Sequence, residues 1–154
     1  MEIRPARTEE AAELSALALE AKAHWGYSTE VLGSWKQLLS ITASDIASKR
    51  VFVGAIDGKT VGFYSLTPAA GAWELDNLWV SPSFMRRGLG RKRLAHALEN
   101  ARCGGASRVT VDADPSAESF YLRSGAIRCG EVPAPIPGQP ERVRPQLAFD
   151  ERAI

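Results

Sequence analysis

A β-forming run, a glycine-bearing turn and a long amphipathic segment follow one another between positions 73 and 103. This order limits the architecture of the chain more than any other feature. Trp73 to Val80 reads as a strand closed by Ser81-Pro82. Gly88 to Cys103 reads as a helix with Leu89, Leu94, Ala97, Leu98 and Ala101 as its apolar stripe, stopped by Gly104-Gly105. Arg108 to Asp112 is β-branched strand again. A strand, a crossover helix and a second strand of one sheet run parallel. Residues 73–113 therefore predict a β-α-β unit with its helix laid on one sheet face.

The remaining elements fit around that unit. Ile3 to Ala6 reads as a short strand. Thr8 caps a helix over about 8–22, with Glu9 and Glu10 in its first turn and Ala11, Leu14, Ala18 and Ala21 at helical spacing. His24-Trp25-Gly26-Tyr27 breaks it. Ser28 caps a second helix with Val31, Leu32, Trp35, Leu38 and Leu39 on one face. Val51–Ile56 and Thr60–Leu66 flank Asp57-Gly58-Lys59 as a hairpin. Ser116 to Ser124 is a short helix ended by Gly125. Residues 133–145 hold five of the nine prolines and read as a stiff loop. Val143 to Phe149 follows as a last strand, expected at an edge because Pro145 cannot donate to a ladder. The order βααβββαβαββ makes an α/β (α+β) layer fold around one sheet. At 154 residues the whole chain, 1–154, reads as one domain.

Composition narrows the function. Lys and Arg total 19 and Asp and Glu 18, a balance unlike that of a nucleic-acid binder. No apolar run is long enough to span a bilayer, and Met1-Glu2-Ile3-Arg4-Pro5 lacks a signal-peptide core, so no membrane partner and a cytoplasmic location are expected. Cys103 and Cys129 form no C-x-x-C pair and have no His at ligand spacing, so no metal is expected. Both read as structural. His96 falls off the apolar stripe of its helix and reads as solvent-facing.

The even balance hides an asymmetry. Positions 86–93 carry Arg86, Arg87, Arg91, Lys92 and Arg93 and no acid, leaving 14 basic and 18 acidic residues elsewhere. Gly88 and Gly90 sit at the mouth of the helix. The first N–H groups of a helix lack internal partners and, with the helix dipole, form an anion site. The segment lacks the third glycine of G-x-G-x-x-G, because position 93 is Arg, and it is no P-loop. A compact phosphate ligand suits it, and so does a bare glycine turn before a basic helix face.

Two motifs in order weigh on that choice. Met85-Arg86-Arg87-Gly88-Leu89-Gly90 resembles the Q/R-x-x-G-x-G/A signature of the GNAT superfamily of N-acetyltransferases, with Met in the first position. Asp114-Pro115-Ser116-Ala117-Glu118-Ser119-Phe120-Tyr121-Leu122-Arg123-Ser124-Gly125-Ala126 is similar to the family's N-x-x-A-x-x-F-Y-x-x-x-G-F, with Asp and Ala as the departures. The resemblance spans about residues 2–132. It implies a mixed, mostly antiparallel central sheet with helices on both faces, and acetyl-CoA as co-substrate. The cofactor-binding positions it implies are Leu78, Trp79, Val80, Met85, Arg86, Arg87, Gly88, Leu89, Gly90, Arg91, Asp114, Ala117 and Tyr121.

The implied reaction is acetyl transfer to a primary amine by direct attack in a ternary complex. An alkylammonium must lose a proton first, so a base is needed. Glu74 stands where related enzymes carry a base glutamate. By period two it shares a strand face with Asp76, Leu78 and Val80, which makes Asp76 a second candidate. Tyr121 matches the tyrosine that protonates the leaving thiolate in the family. Main-chain N–H groups near Leu78 to Val80 would face the developing oxyanion. Acceptors in the family meet the loop between the first two helices. That makes His24, Trp25 and Tyr27 candidates, with Trp35 and Trp73 nearby, through cation–π contact with a small amine or peptide. The same aromatics would also pack as an ordinary helical hairpin. A homodimer is compatible with the Pro-rich end. A non-catalytic acyl-CoA-binding regulatory module is the alternative, since it needs the glycines but no acid or base.

Overall fold

The computed structural model describes all residues, 1–154. It holds seven strands, β1 (Glu2–Pro5), β2 (Arg50–Ile56), β3 (Lys59–Thr67), β4 (Ala72–Val80), β5 (Arg108–Asp112), β6 (Ile127–Pro133) and β7 (Val143–Phe149). The helices are α1 (Ala11–Ala23), α2 (Thr29–Leu39), α3 (Ala43–Ser48), α4 (Leu89–Cys103) and α5 (Glu118–Arg123). The strands form one sheet in the order β1-β2-β3-β4-β5-β7-β6. Every neighbouring pair is antiparallel except β4 and β5. The expected parallel crossover through α4 is present.

Two apolar clusters flank the sheet. One joins Tyr64, Leu66, Trp73 and Leu75 to Leu94, Ala97, Leu98 and Ala101 of α4 and to Tyr121 of α5. The other joins Val51, Val53 and Phe63 to Leu14, Leu17 and Ala18 of α1 and to Ile46 of α3. Helices thus cover both faces.

Local chemistry explains several starts and stops. The Ser28 hydroxyl accepts from Val31 N at 3.2 Å, capping α2 as expected. Before α1 the expected Thr8 cap is absent. The Thr8 hydroxyl turns to Glu9, while Glu10 accepts from Arg7 N at 2.8 Å and pairs with Arg4 at 2.6 Å. α3 is an element the apolar pattern does not announce. Its signal is the reciprocal pair Thr42 and Asp45, whose side chains accept from each other's backbone N–H at 3.0 and 2.9 Å.

β7 corrects the edge expectation. It lies between β5 and β6, and β6 is the edge. Proline is tolerated there because the bond it cannot donate falls opposite Ala113, just past the end of β5. The other half of that pair survives, with Ala113 N donating to Pro145 O at 3.0 Å. The solvent-facing reading of His96 is also corrected. Its Nδ1 lies 2.7 Å from the Tyr64 hydroxyl, its ring packs on Phe52, and burial lowers its pKa.

The largest departure lies in β4. Ser65 pairs with Asn77 but Leu66 pairs with Leu75, so Asp76 is an extra residue, a β-bulge. One extra residue reverses every later side chain. Leu78 therefore packs with the α4 cluster, on the side of Trp73 and Leu75, and Trp79 packs with the α1 cluster. The single face expected for Glu74, Asp76, Leu78 and Val80 is split at the bulge.

One close approach supports the sheet under α4. Gly62 lies beneath the fully buried Arg93, where a Cβ would overlap both the guanidinium carbon and the Trp79 carbonyl oxygen. Backbone cannot yield as a flexible side chain can. Gly62→Ala is expected to lower stability by roughly 2–3 kcal/mol in chemical denaturation, at the upper end of overpacking costs.

Candidate active site

β4 and β5 pair only through Ala72, Trp73 and Glu74 opposite Arg108, Val109 and Thr110. Beyond Glu74 the strands part. Ser81 N donates to Val61 O at 2.8 Å, which fixes which main-chain groups of β4 face β3. Edges alternate along a strand, so Trp79 also turns its N–H and C=O to β3. Leu78 and Val80 turn theirs to the side that β5 has left. The cleft between β4 and β5 is thus lined by the backbone donors of Leu78 and Val80. Trp79, grouped with them in the sequence reading, faces away in both main chain and side chain.

The loop after β4 closes one end of this cleft. Arg86 and Gly88 adopt left-handed conformations, φ 63° and 74°, and Gly88 leads straight into α4. Glycine takes that conformation without strain. The first α4 bond runs from Lys92 N to Gly88 O at 3.2 Å, so the N–H groups of Leu89, Gly90 and Arg91 precede the ladder. A Cβ on Gly90 would lie 3.6 Å from both Phe120 and Val80, so β4, α4 and α5 converge there. Arg86, Arg87, Arg91 and Lys92 are exposed around this mouth, with Arg87 over the Phe84 ring at 5.0 Å. Met85 is half-buried, and the Leu89 side chain is buried, so Leu89 contributes its backbone. Arg93 does not join them: it is buried between α4 and the sheet. Outward N–H groups, a helix dipole and four exposed cations fit the pyrophosphate of acetyl-CoA.

Tyr121 stands beside this convergence. It is buried, with its ring edge-on to Phe120 at 5.2 Å and to Phe149 at 6.4 Å. Burial pushes its phenol far up, so it holds its proton at any physiological pH. Ala117 packs its side chain against the same core.

Glu74 stands at the crotch, on the last residue pair before the strands part. Partial burial, and then the neighbouring Asp76 and Asp112 carboxylates, push its carboxyl up, against a smaller pull from Lys49. Asp76 is differently placed. Its carboxylate accepts from Lys49 at 2.6 Å, Ser65 at 2.6 Å and Thr67 at 3.2 Å. Asn77 donates to the same Ser65 oxygen at 2.8 Å and accepts from Trp79 Nε1 at 2.8 Å. Asp76 thus holds the bulge together, whereas the Glu74 carboxylate takes no part in that network.

The other side of the cleft carries a knot of charge and aromatic rings. Asp114, just after β5, accepts from the Lys22 ammonium, from the Tyr27 hydroxyl at 2.8 Å and from Ser116 N at 2.7 Å, with Arg142 at 3.5 Å. Arg142 donates to Ala134 O and to the Tyr27 hydroxyl at 3.0 Å each, and its buried Nε has no partner. Lys22 and Arg142 both lie over the Tyr27 and Trp35 rings, at 4.8 to 5.3 Å.

This changes three substrate expectations. The faces of Tyr27 and Trp35 are already occupied by the chain's own cations. Trp73 is buried against Gly104, with Arg50 over its ring at 4.8 Å. His24 and Trp25 remain exposed, edge to face at 5.5 Å. Asp114 is likewise consumed within the protein rather than presented to a cofactor. Nothing local in the sequence pairs position 22 with 114 or 27 with 142.

The comparisons agree with this geometry. The model of the acetyltransferase (GNAT) family matches residues 14–126. The chain belongs to this family. It is an acyltransferase, and acetyl-CoA is its co-substrate. The PaiA N-acetyltransferase of Thermoplasma acidophilum, solved with coenzyme A, is similar over 97% of this chain and 98% of its own, at 20% identity and a TM-score of 0.76. A GCN5-related N-acetyltransferase from Rhodopseudomonas palustris covers 97% and 94% at 22% identity and 0.77. The ribosomal-protein-S18-alanine N-acetyltransferase of Escherichia coli covers 97% and 92% at 18% and 0.74. No match is found among curated proteins.

The knot makes a pH prediction. Burial works to raise the Asp114 pKa, but Lys22, Ser116 N–H and Tyr27 outweigh it and hold the carboxyl below its ordinary value. A depressed carboxylate contributes stability above its unfolded pKa of ~3.9 and loses it as pH falls through the folded value. Asp114→Asn is expected to cost roughly 3–5 kcal/mol at pH 7, because two buried cations lose their partner. In thermal melts against pH, the gap to the natural chain is expected to close below about pH 4.

Proposed function

We propose that the whole chain, 1–154, is an N-acetyltransferase in which a primary amine attacks acetyl-CoA directly in a ternary complex. The observation that carries this reading is the cleft where β4 leaves β5, with Leu78 and Val80 N–H facing it, the α4 mouth at one end and Tyr121 beside that mouth.

Each group has a chemical task. The loop N–H groups of Leu89, Gly90 and Arg91 hold the pyrophosphate, with Arg86, Arg87 and Arg91 screening its charge. Leu78 and Val80 donate to the pantetheine arm and to the acyl oxygen as negative charge develops on it. Glu74, its carboxyl pushed up toward the working range, takes the proton of the attacking ammonium directly or through water. Tyr121 gives its proton to the departing thiolate, which a phenol kept neutral by burial suits. The acceptor enters past His24 and Trp25, the aromatic residues of the α1–α2 loop that remain exposed. Its chemical class is a small amine or the amino end of a peptide.

Calorimetric titration is expected to show acetyl-CoA binding, and a panel of amines read by free thiol release is expected to give turnover. Binding without turnover on any amine would favour a regulatory acyl-CoA module. Tyr121→Phe is expected to lower kcat by about 10²-fold, the lower range for a general acid, with little change in KM for acetyl-CoA. A base must be deprotonated, so kcat/KM is expected to fall as pH drops through the raised Glu74 value. Glu74→Gln is expected to be slow and to lack that acid limb. An unaltered pH profile would remove Glu74 from the role.

A further inference from the structure

We propose that Lys49 is a positioning residue for proton transfer: its ammonium cancels the charge of Asp76 and so fixes how tightly the Glu74 carboxylate at the cleft holds a proton. The proposal rests on the acetyltransferase reading above, in which Glu74 is the base.

The register of the sheet brings these groups into one row. Arg50 pairs with Leu66, so Lys49, one residue earlier, enters the sheet beside Thr67. Thr67 pairs with Glu74, and Glu74 with Thr110. Neighbouring strands lie about 4.8 Å apart, so Lys49 stands two strands from Glu74, within reach of a lysine side chain. Sides alternate along each strand. Val51 packs with the α1 cluster, and Arg50 lies over the Trp73 ring of the α4 cluster, which puts Lys49 on the α1 side. Glu74 is on that side too, between Trp73 and Leu75 of the α4 cluster. Lys49 itself comes from the end of α3, where its N–H donates to Asp45 O at 2.8 Å.

Three carboxylates share that face, and two of them have a cation. The Lys49 ammonium lies 2.6 Å from Asp76, with side chains only 29% and 17% exposed. Ser65 and Thr67 hold the same carboxylate in place. Arg144 of β7 pairs with Asp112 of β5 at 2.9 Å, and Gln146 also donates to Asp112. Glu74 stands between Asp76 and Asp112 with no ion pair of its own. Partial burial and those two carboxylates raise its pKa, and Lys49 pulls it back. Burial works against the Lys49 ammonium, but Asp76, Asp45 and Glu74 outweigh it, so Lys49 stays charged wherever Glu74 titrates. Lys49 is thus a counterweight. Without it Asp76 presses on Glu74 in full, and Glu74 keeps its proton to higher pH.

The two halves of the pair therefore act with opposite sign. Lys49→Met removes the cation and bares Asp76, so Glu74 binds its proton more tightly. Asp76→Asn removes the carboxylate and leaves Lys49 facing Glu74, so Glu74 releases its proton more easily. Removing both leaves the charge balance near that of the natural chain.

The test uses the full chain, these two variants, their double and Lys49→Arg. Two titrations are read: the ¹³C signal of the Glu74 carboxyl, and the acid limb of kcat/KM on the best amine of the panel. Lys49→Met is expected to move both midpoints up by about 0.5–1 pH unit, and Asp76→Asn to move both down by a similar amount. The double variant returns close to the natural midpoint, and Lys49→Arg keeps it. Above the limb, kcat of Lys49→Met stays within about twofold of the natural chain. Raised salt shrinks the shifts, because the pair is partly exposed.

A Glu74 carboxyl that titrates alike in the natural chain and in Lys49→Met overturns the proposal. So do shifts of the same sign in Lys49→Met and Asp76→Asn. So does a lower kcat and a lower unfolding temperature with an unmoved midpoint, the pattern of a merely structural lysine. Should Lys49→Met fail to fold, Lys49→Gln takes its place with the same readouts. A carboxyl signal that shifts as expected while the acid limb stays put overturns Glu74 as the base beneath the proposal. The carboxyl signal still decides by itself whether Lys49 sets the proton affinity of Glu74.

Discussion

A parallel strand pair that lasts three residues and then opens leaves main-chain groups without partners. Backbone N–H and C=O groups are obligatory hydrogen-bonding groups. In most sheets a neighbouring strand satisfies them. Here β5 leaves after Glu74, and β4 continues for six more residues with Leu78 and Val80 facing the gap. The features around the gap follow from holding it open. α4 and α5 converge at Gly90 on one side. The Asp114 knot ties α1, α2 and the approach to β7 together on the other. The Asp76 bulge re-aims β4 so that Leu78 seats in the α4 core while Trp79 packs under α1.

The crossover, the glycine loop and the hairpin were legible in the sequence because each is written in neighbouring residues. Gly88 and Gly90 announce the helix mouth by themselves. The bulge was hidden by its own pattern. Glu74, Asp76, Leu78 and Val80 alternate as an unbroken strand would, and only the partner strand shows that Asp76 is one residue too many. α3 was hidden for the opposite reason, since its Thr42–Asp45 cap is plain but six residues give too short an apolar period to read. The knot depends on partners about ninety and more residues apart, such as Lys22 with Asp114 and Tyr27 with Arg142. A cluster of Tyr27 and Trp35 beside a loop reads equally as an acceptor cage or as packing. The side chains that decide between them arrive from the far end of the chain.

Charge in this protein is placed by depth more than by count. The five basic residues of 86–93 look like one patch along the sequence. Helical geometry divides them, because one position in that run must face the sheet. Arg86, Arg87, Arg91 and Lys92 reach solvent at the helix mouth, where water and salt screen each of them. Arg93 turns inward, where a single charge is screened far less. The two placements come from one helix, four charges at its mouth and one on its inward face. In the proposed complex the outward cations meet the phosphates of acetyl-CoA. The inward one donates to the carbonyl of Trp79 at 3.2 Å. Gly54 and Gly62 are tied to that inward charge, because their missing side chains make the space in which it can lie.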